Sequence, residues 1–105
     1  MTDAVGGPDV LRGLRDVVGS AFDFTAREGG AVQVLTLVAV EARPATLGHE
    51  QFAAYFDGPA TPLLAQGTHA VRHAVLGTFA LFIVPIARDA RYARYEACVS
   101  RKREA

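Results

Sequence analysis

Apolar residues recur at every second position through most of this chain from Ala21 onward. Phe22 and Phe24, for example, alternate with Asp23 and Thr25. Side chains with a period of two lie alternately on the two faces of a β-strand, whereas an amphipathic helix requires a period near 3.6. The alternation therefore predicts a chain that is built mainly from β-strands.

Turn residues divide the alternating stretches and indicate how the strands are connected. Glycine pairs or Gly-Pro and Leu-Gly steps supply turns at 29–30, 58–59 and 76–77, and longer loops are predicted around Pro44 and over Arg88 to Arg94. Because the strands follow one another with no helix between them, we expect an antiparallel meander that forms a small barrel or a sandwich. The strands, about six in number, are predicted at 21–25, 32–40, 52–57, 68–75, 79–86 and 95–100.

The residues before Ala21 have a helical period. Leu11, Leu14, Val17 and Val18 fall on one face of a short helix, which must pack against something to be stable. The chain of 105 residues, half of them apolar, is long enough for one domain with a real core. The predicted organisation is a flexible leader (1–7), an N-terminal amphipathic helix (8–19), a β domain (20–100) and a charged tail (101–105).

The charge of the chain excludes several classes of partner. Its 11 basic and 11 acidic residues give a formal net charge of zero, so no long-range field attracts it to nucleic acid or to an anionic membrane. A neutral domain also lacks the repulsion that keeps copies apart. We therefore expect a protein partner or a second copy of the chain in a homo-oligomer, with no nucleic acid and no membrane as partner.

The cysteine count and the apolar runs indicate where in the cell the protein is expected. The single cysteine, Cys98, rules out an intramolecular disulfide. Residues 1–9 lack the apolar stretch of a signal peptide, and the most apolar run, 74–87, is too short to span a bilayer. We expect a cytoplasmic location, or membership of an assembly that is exported by a non-classical route.

Two parts of the sequence are candidates for contact with a partner. One is the helix stripe, although such a stripe more often packs on its own domain. The other is the basic, tyrosine-containing region near the C-terminus, because Arg and Tyr are enriched in protein interfaces; a solvated loop is the alternative there. The candidate interface residues are Leu11, Leu14, Val18, Arg91, Tyr92 and Arg94.

A barrel of this size would also have a mouth at which a small ligand could bind. The loops at 43–50 and 58–66 would form that mouth, and their polar neighbours would supply a few hydrogen bonds. The candidate ligand contacts are Tyr55, Gln66, His69 and His73.

Catalytic and metal-binding chemistry is not indicated by any motif. His69 and His73 are four residues apart on a predicted strand, so they share a face but lie about 13 Å apart, too far to bind one metal ion by themselves. Cys98 has no cationic cluster around it that would activate the thiol. Asp57, before Gly58 and a proline, is typical of a turn. We therefore expect no catalytic residue, no metal and no cofactor.

The stretch from Phe52 to Val99 resembles an uncharacterised family of small bacterial domains, and with the first phenylalanine strand included the similarity extends over most of the chain. Ala65 and His69 stand where that family usually has proline and tyrosine. The matching blocks are Phe56-Asp57-Gly58-Pro59, Leu64-Ala65-Gln66-Gly67-Thr68-His69, His73-Ala74-Val75-Leu76-Gly77-Thr78-Phe79, Leu81-Phe82-Ile83-Val84-Pro85 and Tyr95-Glu96-Ala97.

The resemblance implies a role without implying a reaction. That family has no established activity, and its members tend to be encoded near phage-tail-like or collar-like proteins, which implies a structural or assembly role. Together with the neutral charge, this favours a non-enzymatic interaction module that oligomerises or joins a larger bacterial, phage-tail-like complex. A small-ligand-binding β-barrel is the alternative, and a hydrolase-like enzyme that uses His and Cys comes third.

Overall fold

Six β-strands make up the fold within the residues described by the computed structural model, which are 13–25, 30–46 and 49–102. One short helix, α1 (13–16), precedes them and is followed by a turn at 17–19. The predicted class, mainly β with a single short helix, is confirmed for this part of the chain. The strands are β1 (Ala21–Thr25), β2 (Val32–Thr46), β3 (His49–Pro59), β4 (Gly67–His73), β5 (Gly77–Arg88) and β6 (Tyr92–Lys102).

The strands close into a barrel in the order β1-β2-β3-β6-β5-β4. Every pair of neighbours is antiparallel. β1 closes the barrel by pairing on both sides, so that Phe24 lies opposite Gln33 of β2 and Val71 of β4. Of the two predicted alternatives, the barrel and the sandwich, the chain forms the barrel.

The strand order differs from a single meander. A six-stranded meander would place β3 beside β4, whereas β3 lies beside β6 and β4 lies beside β1. The connection at 60–66 runs over one end of the barrel, where the backbone N–H of Leu64 donates to the Tyr95 hydroxyl at 2.9 Å and the Gln33 amide donates to the carbonyl oxygen of Pro62. The barrel therefore consists of two three-stranded meanders placed side by side, β1 to β3 and β4 to β6.

Several strands are longer than the sequence pattern predicts. Pro44 lies within β2 rather than in a loop. The pairing of β2 with β3 shifts register between Arg43 and Thr46, and a proline, which lacks a backbone N–H, is tolerated at such an irregularity. The predicted connection at 88–94 is reduced to a turn at 89–91, because β5 extends into it from one side and β6 from the other.

The ends of the chain can be compared with the predicted organisation only in part. β6 continues to Lys102, so the first two residues of the predicted charged tail still pair with β3. The predicted leader (1–7), the first residues of the predicted helix (8–12) and residues 103–105 lie outside the described residues.

The interior of the barrel is filled by side chains that alternate inward along the strands. Three phenylalanine rings meet edge to face: the ring centroid of Phe56 lies 5.2 Å from that of Phe22 and 5.2 Å from that of Phe24. The other fully buried large side chains are Leu14, Leu35, Leu37, Val71, Ile83 and Tyr95.

The short helix α1 packs against this core. Leu14 is completely buried in it, and Gly13 lies so close to Leu76, in the turn between β4 and β5, that a Cβ atom would meet the leucine side chain. Gly19 ends the helical segment with a φ of 97°, in the left-handed region that favours glycine. Its N–H donates to the carbonyl oxygen of Leu37 at 2.7 Å. The helix is thereby joined to β2.

β2, β3 and β6 continue beyond the closed part of the barrel. β1 pairs with β2 only as far as Thr36, and β5 pairs with β6 only from Glu96 toward the hairpin turn. On the inner side of the continuing sheet, the guanidinium of Arg15 lies 4.8 Å from the ring centroid of Phe52. The chain is elongated as a result, with extents of 45 × 29 × 22 Å. We call this three-stranded sheet, residues 38–46, 49–54 and 97–102, the extension.

Candidate functional site

The outer surface of β3 and β6 carries an ion pair that the register of the two strands creates. Asp57 and Arg94 lie directly opposite each other. Arg94 donates from Nε to Oδ1 of Asp57 at 2.7 Å and from Nη2 to Oδ2 at 2.9 Å. This two-point pairing raises the pKa of Arg94. The prediction that Asp57 is a turn residue is wrong, since the residue lies in β3 and its carboxylate binds Arg94.

A second polar cluster lies next to this pair on the same outer surface. Tyr55 of β3 lies opposite Glu96 of β6, and its hydroxyl donates to Oε2 of Glu96 at 3.0 Å. Arg43 of β2 donates to the Tyr55 hydroxyl and, at 3.1 Å, to the same carboxylate oxygen. Partial burial and the hydrogen bond to Glu96 raise the pKa of Tyr55, so its hydroxyl remains a donor. The cluster links β2, β3 and β6.

The hairpin between β5 and β6 borders an open depression with a volume of about 370 Å³. Two predicted interface residues, Tyr92 and Arg94, line this depression, and a third, Arg91, lies in the adjoining turn. Arg91 and Tyr92 are exposed, Tyr92 by 58%, while the guanidinium of Arg94 is held by its ion pair. We call this region the hairpin surface and take it as the candidate functional site; it comprises Asp57, Arg88, Asp89, Arg91, Tyr92 and Arg94.

Asp89 fixes the turn of the hairpin surface. Its Oδ1 accepts hydrogen bonds from the backbone N–H groups of Arg91 at 2.7 Å and Tyr92 at 2.8 Å. The bond from Tyr92 and then that from Arg91 lower the pKa of Asp89, because both bonds favour the ionised carboxylate. The backbone N–H of Asp89 in turn donates to the carbonyl oxygen of Tyr92 at 2.9 Å. The exposed Arg and Tyr side chains are therefore presented on an ordered turn.

The role of Asp89 can be tested with a matched pair of variants. Asp89→Ala removes the acceptor for both N–H groups, and we expect a lower melting temperature at pH 7 together with a more mobile hairpin by amide exchange. Asp89→Asn keeps an acceptor oxygen and should retain most of the stability. Because the pKa is lowered in the folded state, the ionised carboxylate should stabilise the wild type above its ordinary pKa of 3.8 and lose that effect as the pH falls further. Equal melting temperatures for the wild type and both variants would contradict this role.

The predicted helix stripe contributes little surface. Leu11 lies outside the described residues, and Leu14 is completely buried in the core, so Leu14 is not accessible to a partner. Val18 is 47% exposed. This part of the predicted interface is thus reduced, within the described residues, to Val18, while the hairpin surface remains accessible.

The predicted ligand contacts do not converge on one place. His69 and His73 share the inward face of β4, as their spacing predicts, and only 5% of the surface of each is exposed. Tyr55 faces outward, in the polar cluster with Arg43 and Glu96. Gln66 is exposed and borders, with His69, a shallow depression of about 40 Å³.

The imidazole of His69 lies between two backbone carbonyl groups. Its Nδ1 is 3.1 Å from the carbonyl oxygen of Thr25, and its Nε2 is 2.8 Å from that of Ala65. A neutral imidazole has one N–H and can donate to one of these oxygens, whereas a doubly protonated ring can donate to both. In either form, the ring joins the end of β1 to the connection that precedes β4.

The imidazole of His73 has partners that determine its tautomer. Nδ1 accepts from the backbone N–H groups of Val75 at 3.0 Å and Leu76 at 3.1 Å, so the ring proton is on Nε2. Nε2 donates to the Ser20 hydroxyl at 2.8 Å, which donates to the carbonyl oxygen of Val17 at 2.6 Å. The ring therefore donates to Ser20 rather than accepting its proton, which is the reverse of the arrangement in a serine nucleophile with a histidine base.

Cys98 is separated from both histidines. Its side chain is exposed on the outer surface of β6, opposite Ala53 of β3, whereas His69 and His73 point into the barrel. Among the described residues, no group of three or more His, Cys, Asp or Glu side chains is placed to hold a metal ion. The arrangement that a hydrolase-like mechanism with His and Cys would require is therefore not formed by these residues.

These features define the class of the protein as a small closed antiparallel β-barrel domain whose accessible polar side chains lie on its outer surface. The chain belongs to the family designated domain of unknown function DUF6916, whose sequence profile matches residues 12–99. Membership of an uncharacterised family, which the sequence blocks predict, is thus confirmed. Comparisons with curated proteins and with solved structures gave no match. Within the described part of the chain, no helix has the length and apolar character needed to cross a membrane.

Proposed function

We propose that this domain is a non-enzymatic assembly module, which acts as a homo-oligomer or as part of a larger bacterial complex. The observation that carries the proposal is the apolar outer face of β5. Its inward side chains, Phe79, Leu81 and Ile83, already fill the core, yet Phe82 is 50% exposed and Ile86 is 47% exposed on its outer side.

Apolar side chains on the outer surface of the barrel add little to its own stability. Single exposed apolar residues are common on protein surfaces. Here Phe82, the half-buried Val84 and Ile86 follow one another along β5 as an apolar strip, with Ile86 at the register shift between Pro85 and Ala87. Val32 and Val34 form a similar exposed pair on β2. Contiguous exposed apolar surface is typical of sites that another protein covers.

The hairpin surface has the composition of a protein-binding site. Arg and Tyr side chains supply large contact areas and hydrogen-bond donors, and both are enriched in interfaces relative to the remaining surface. The zero net charge of the chain favours association, since copies do not repel one another at long range. A partner that covers this surface would bury the apolar ring of Tyr92. It would also cover the Asp57–Arg94 pair, in which each charge already has the other as its partner.

The complex that we favour is phage-tail-like. This part of the proposal rests on the resemblance carried by the sequence blocks between Phe52 and Val99, which implies an association with phage-tail-like or collar-like proteins. Small β-barrels suit such assemblies because a rigid barrel can present one surface to a neighbouring copy and another to a different protein.

The proposal is tested by light scattering coupled to size-exclusion chromatography over a dilution series. A reducing agent must be present so that the exposed Cys98 does not create dimers by oxidation. We expect a discrete closed oligomer that persists on dilution into the low micromolar range. A monomer at every concentration would contradict self-assembly of the chain.

A further inference from the structure

The charges of the hairpin surface are not balanced by contacts among the described residues. The Asp57 carboxylate is bound by Arg94, and Oδ1 of Asp89 accepts from two backbone N–H groups. Arg88 donates to a threonine hydroxyl at 3.3 Å, and no described carboxylate lies within ion-pair distance of Arg88 or Arg91. The positive charge of these two arginines is therefore available to a group outside the domain.

A row of exposed apolar side chains lies beside these arginines. Tyr92 of β6 is paired in register with Pro59 of β3. The register of β2 with β3, continued toward the start of β2, brings Val34 beside Pro59 on the same outer face. All three side chains are exposed. We call Val34, Pro59 and Tyr92 the apolar row; it crosses three strands between the Asp57–Arg94 pair and the hairpin turn.

This part of the surface is ordered before any partner binds. Asp89 fixes the hairpin turn through its two hydrogen bonds. Ala60, in the connection that follows β3, donates its N–H to the carbonyl oxygen of Arg91 at 3.0 Å. The guanidinium of Arg94 is held by two hydrogen bonds to Asp57. A surface that is ordered beforehand loses less conformational entropy when it binds.

We propose that the hairpin surface and the apolar row bind a segment of a partner protein in which an aromatic or aliphatic side chain lies next to carboxylates. The apolar side chain packs on Tyr92 and Val34, and the carboxylates pair with Arg88 and Arg91. The inference rests on the proposed assembly function and names the chemistry of the partner. Opposite charges select and align the partner, while the buried aromatic contact supplies most of the affinity.

A nucleic acid fits this surface less well than an acidic protein segment does. Its phosphates repeat along the strand, so some of them would lie against Asp57 and Asp89, whose carboxylates line the same depression. The two backbone hydrogen bonds that lower the pKa of Asp89 keep this carboxylate ionised at neutral pH. A protein segment carries its carboxylates singly, so each can be placed at an arginine and away from the aspartates.

Binding is measured by nuclear magnetic resonance on the full chain with two synthetic peptides. The first, Glu-Glu-Phe-Leu-Glu-Glu, carries the proposed chemistry, and the second has glutamine in place of each glutamate. We expect the acidic peptide to shift the amide resonances of residues 57–58 and 88–94, with a dissociation constant of about 0.1–1 mM, which is weak binding. The glutamine peptide should bind at least about fivefold more weakly, and added salt should weaken binding of the acidic peptide.

Matched substitutions test where the peptide binds. The double variant Arg88→Gln with Arg91→Gln removes the charges offered to the partner and should weaken binding about tenfold. Tyr92→Ala removes the aromatic contact and should weaken it by a similar factor. Arg72→Gln removes an exposed arginine of β4, which lies opposite Thr78 at the far end of β5, and should leave binding unchanged. Circular dichroism melting curves of every variant check that the barrel remains folded.

The outcomes separate this inference from the proposed function. Binding of the acidic peptide that the arginine and tyrosine variants weaken, and that Arg72→Gln does not, supports the site. Shifts elsewhere on the barrel, equal binding of both peptides, or no shift up to millimolar concentration overturns it, as does tighter binding of a short oligothymidylate to the same residues. An oligomer that forms without any peptide binding overturns this site and leaves assembly in place. A monomer that binds the acidic peptide retains the site and contradicts self-assembly alone.

Discussion

Phe56→Ala is expected to lower the free energy of unfolding by about 3–5 kcal/mol, as truncations of fully buried phenylalanines do. The Phe56 side chain is completely buried, and its ring contacts the rings of Phe22 and Phe24 edge to face, with both centroids at 5.2 Å. The cavity left by the substitution lies at the centre of the barrel, where the surrounding strands cannot collapse to fill it. A domain of this size has about 5–15 kcal/mol of stability in total, so the loss is a large fraction of it and should lower the melting temperature by more than about 10 °C.

The matched control is Phe82→Ala, which removes the same atoms from the outer side of β5. Because half of the Phe82 side chain is exposed, we expect a loss of no more than about 1 kcal/mol. Urea unfolding followed by circular dichroism measures both values. Similar losses for the two variants would contradict the assignment of Phe56 to the core and Phe82 to the surface. A stable Phe82→Ala variant that assembles poorly would show that the outer phenylalanine serves association.

The face on which each strand residue lies is predictable from the sequence, because a period of two is a local property. His69, Val71 and His73 point inward as their spacing predicts, and so does Tyr95. Alternation alone cannot say what an inward histidine contacts. The partners of His73 include Ser20, which is 53 residues away along the chain, and only the closed barrel brings them together.

The strand order is not predictable by the same means, because it depends on contacts between distant residues. Turn residues indicate hairpins between consecutive strands and therefore favour a meander. The pairing of β3 with β6 and of β1 with β4 follows instead from the connection at 60–66, which is anchored by the hydrogen bond between Leu64 and Tyr95 over 31 residues. No local pattern in the sequence signals that bond.

The sequence indicates which residue types make up the candidate site, but not which residues pair with one another. The density of Arg and Tyr near the C-terminus predicts a contact surface there, and the hairpin surface contains Arg91 and Tyr92 in exposed positions. The pairing of Asp57 with Arg94 spans 37 residues and depends on the register of β3 with β6. The participation of Arg43 and Glu96 in the neighbouring cluster has the same origin, since each residue comes from a different strand.

His73→Leu is expected to lower the free energy of unfolding by about 2–4 kcal/mol, since each buried polar group left without a partner costs about 1–3 kcal/mol. Leucine keeps much of the volume of the ring but cannot accept the N–H bonds of Val75 and Leu76, nor donate to Ser20. It also loses the contact with Phe22, whose ring centroid is 4.3 Å from that of the imidazole.

Two further variants separate the parts of this effect. Ser20→Ala removes only the hydroxyl that links His73 to the carbonyl oxygen of Val17, and its expected cost is about 1 kcal/mol. His73→Asn retains both an acceptor and a donor and should recover part of the stability that leucine loses. The measurement is urea unfolding in a reducing buffer at pH 7, under conditions in which the oligomeric state is fixed.

The structural role of His73 would be contradicted if leucine and asparagine were tolerated equally with no loss of stability. In that case the ring would be free of the turn at 74–76, and its use in binding or catalysis would regain support. The expected order, with leucine the most destabilising and Ser20→Ala the least, would instead mean that the contacts of His73 with Ser20 and with the turn at 74–76 stabilise the barrel. That result would favour the outer surface as the place of function, where the hairpin surface and the apolar strip of β5 are exposed.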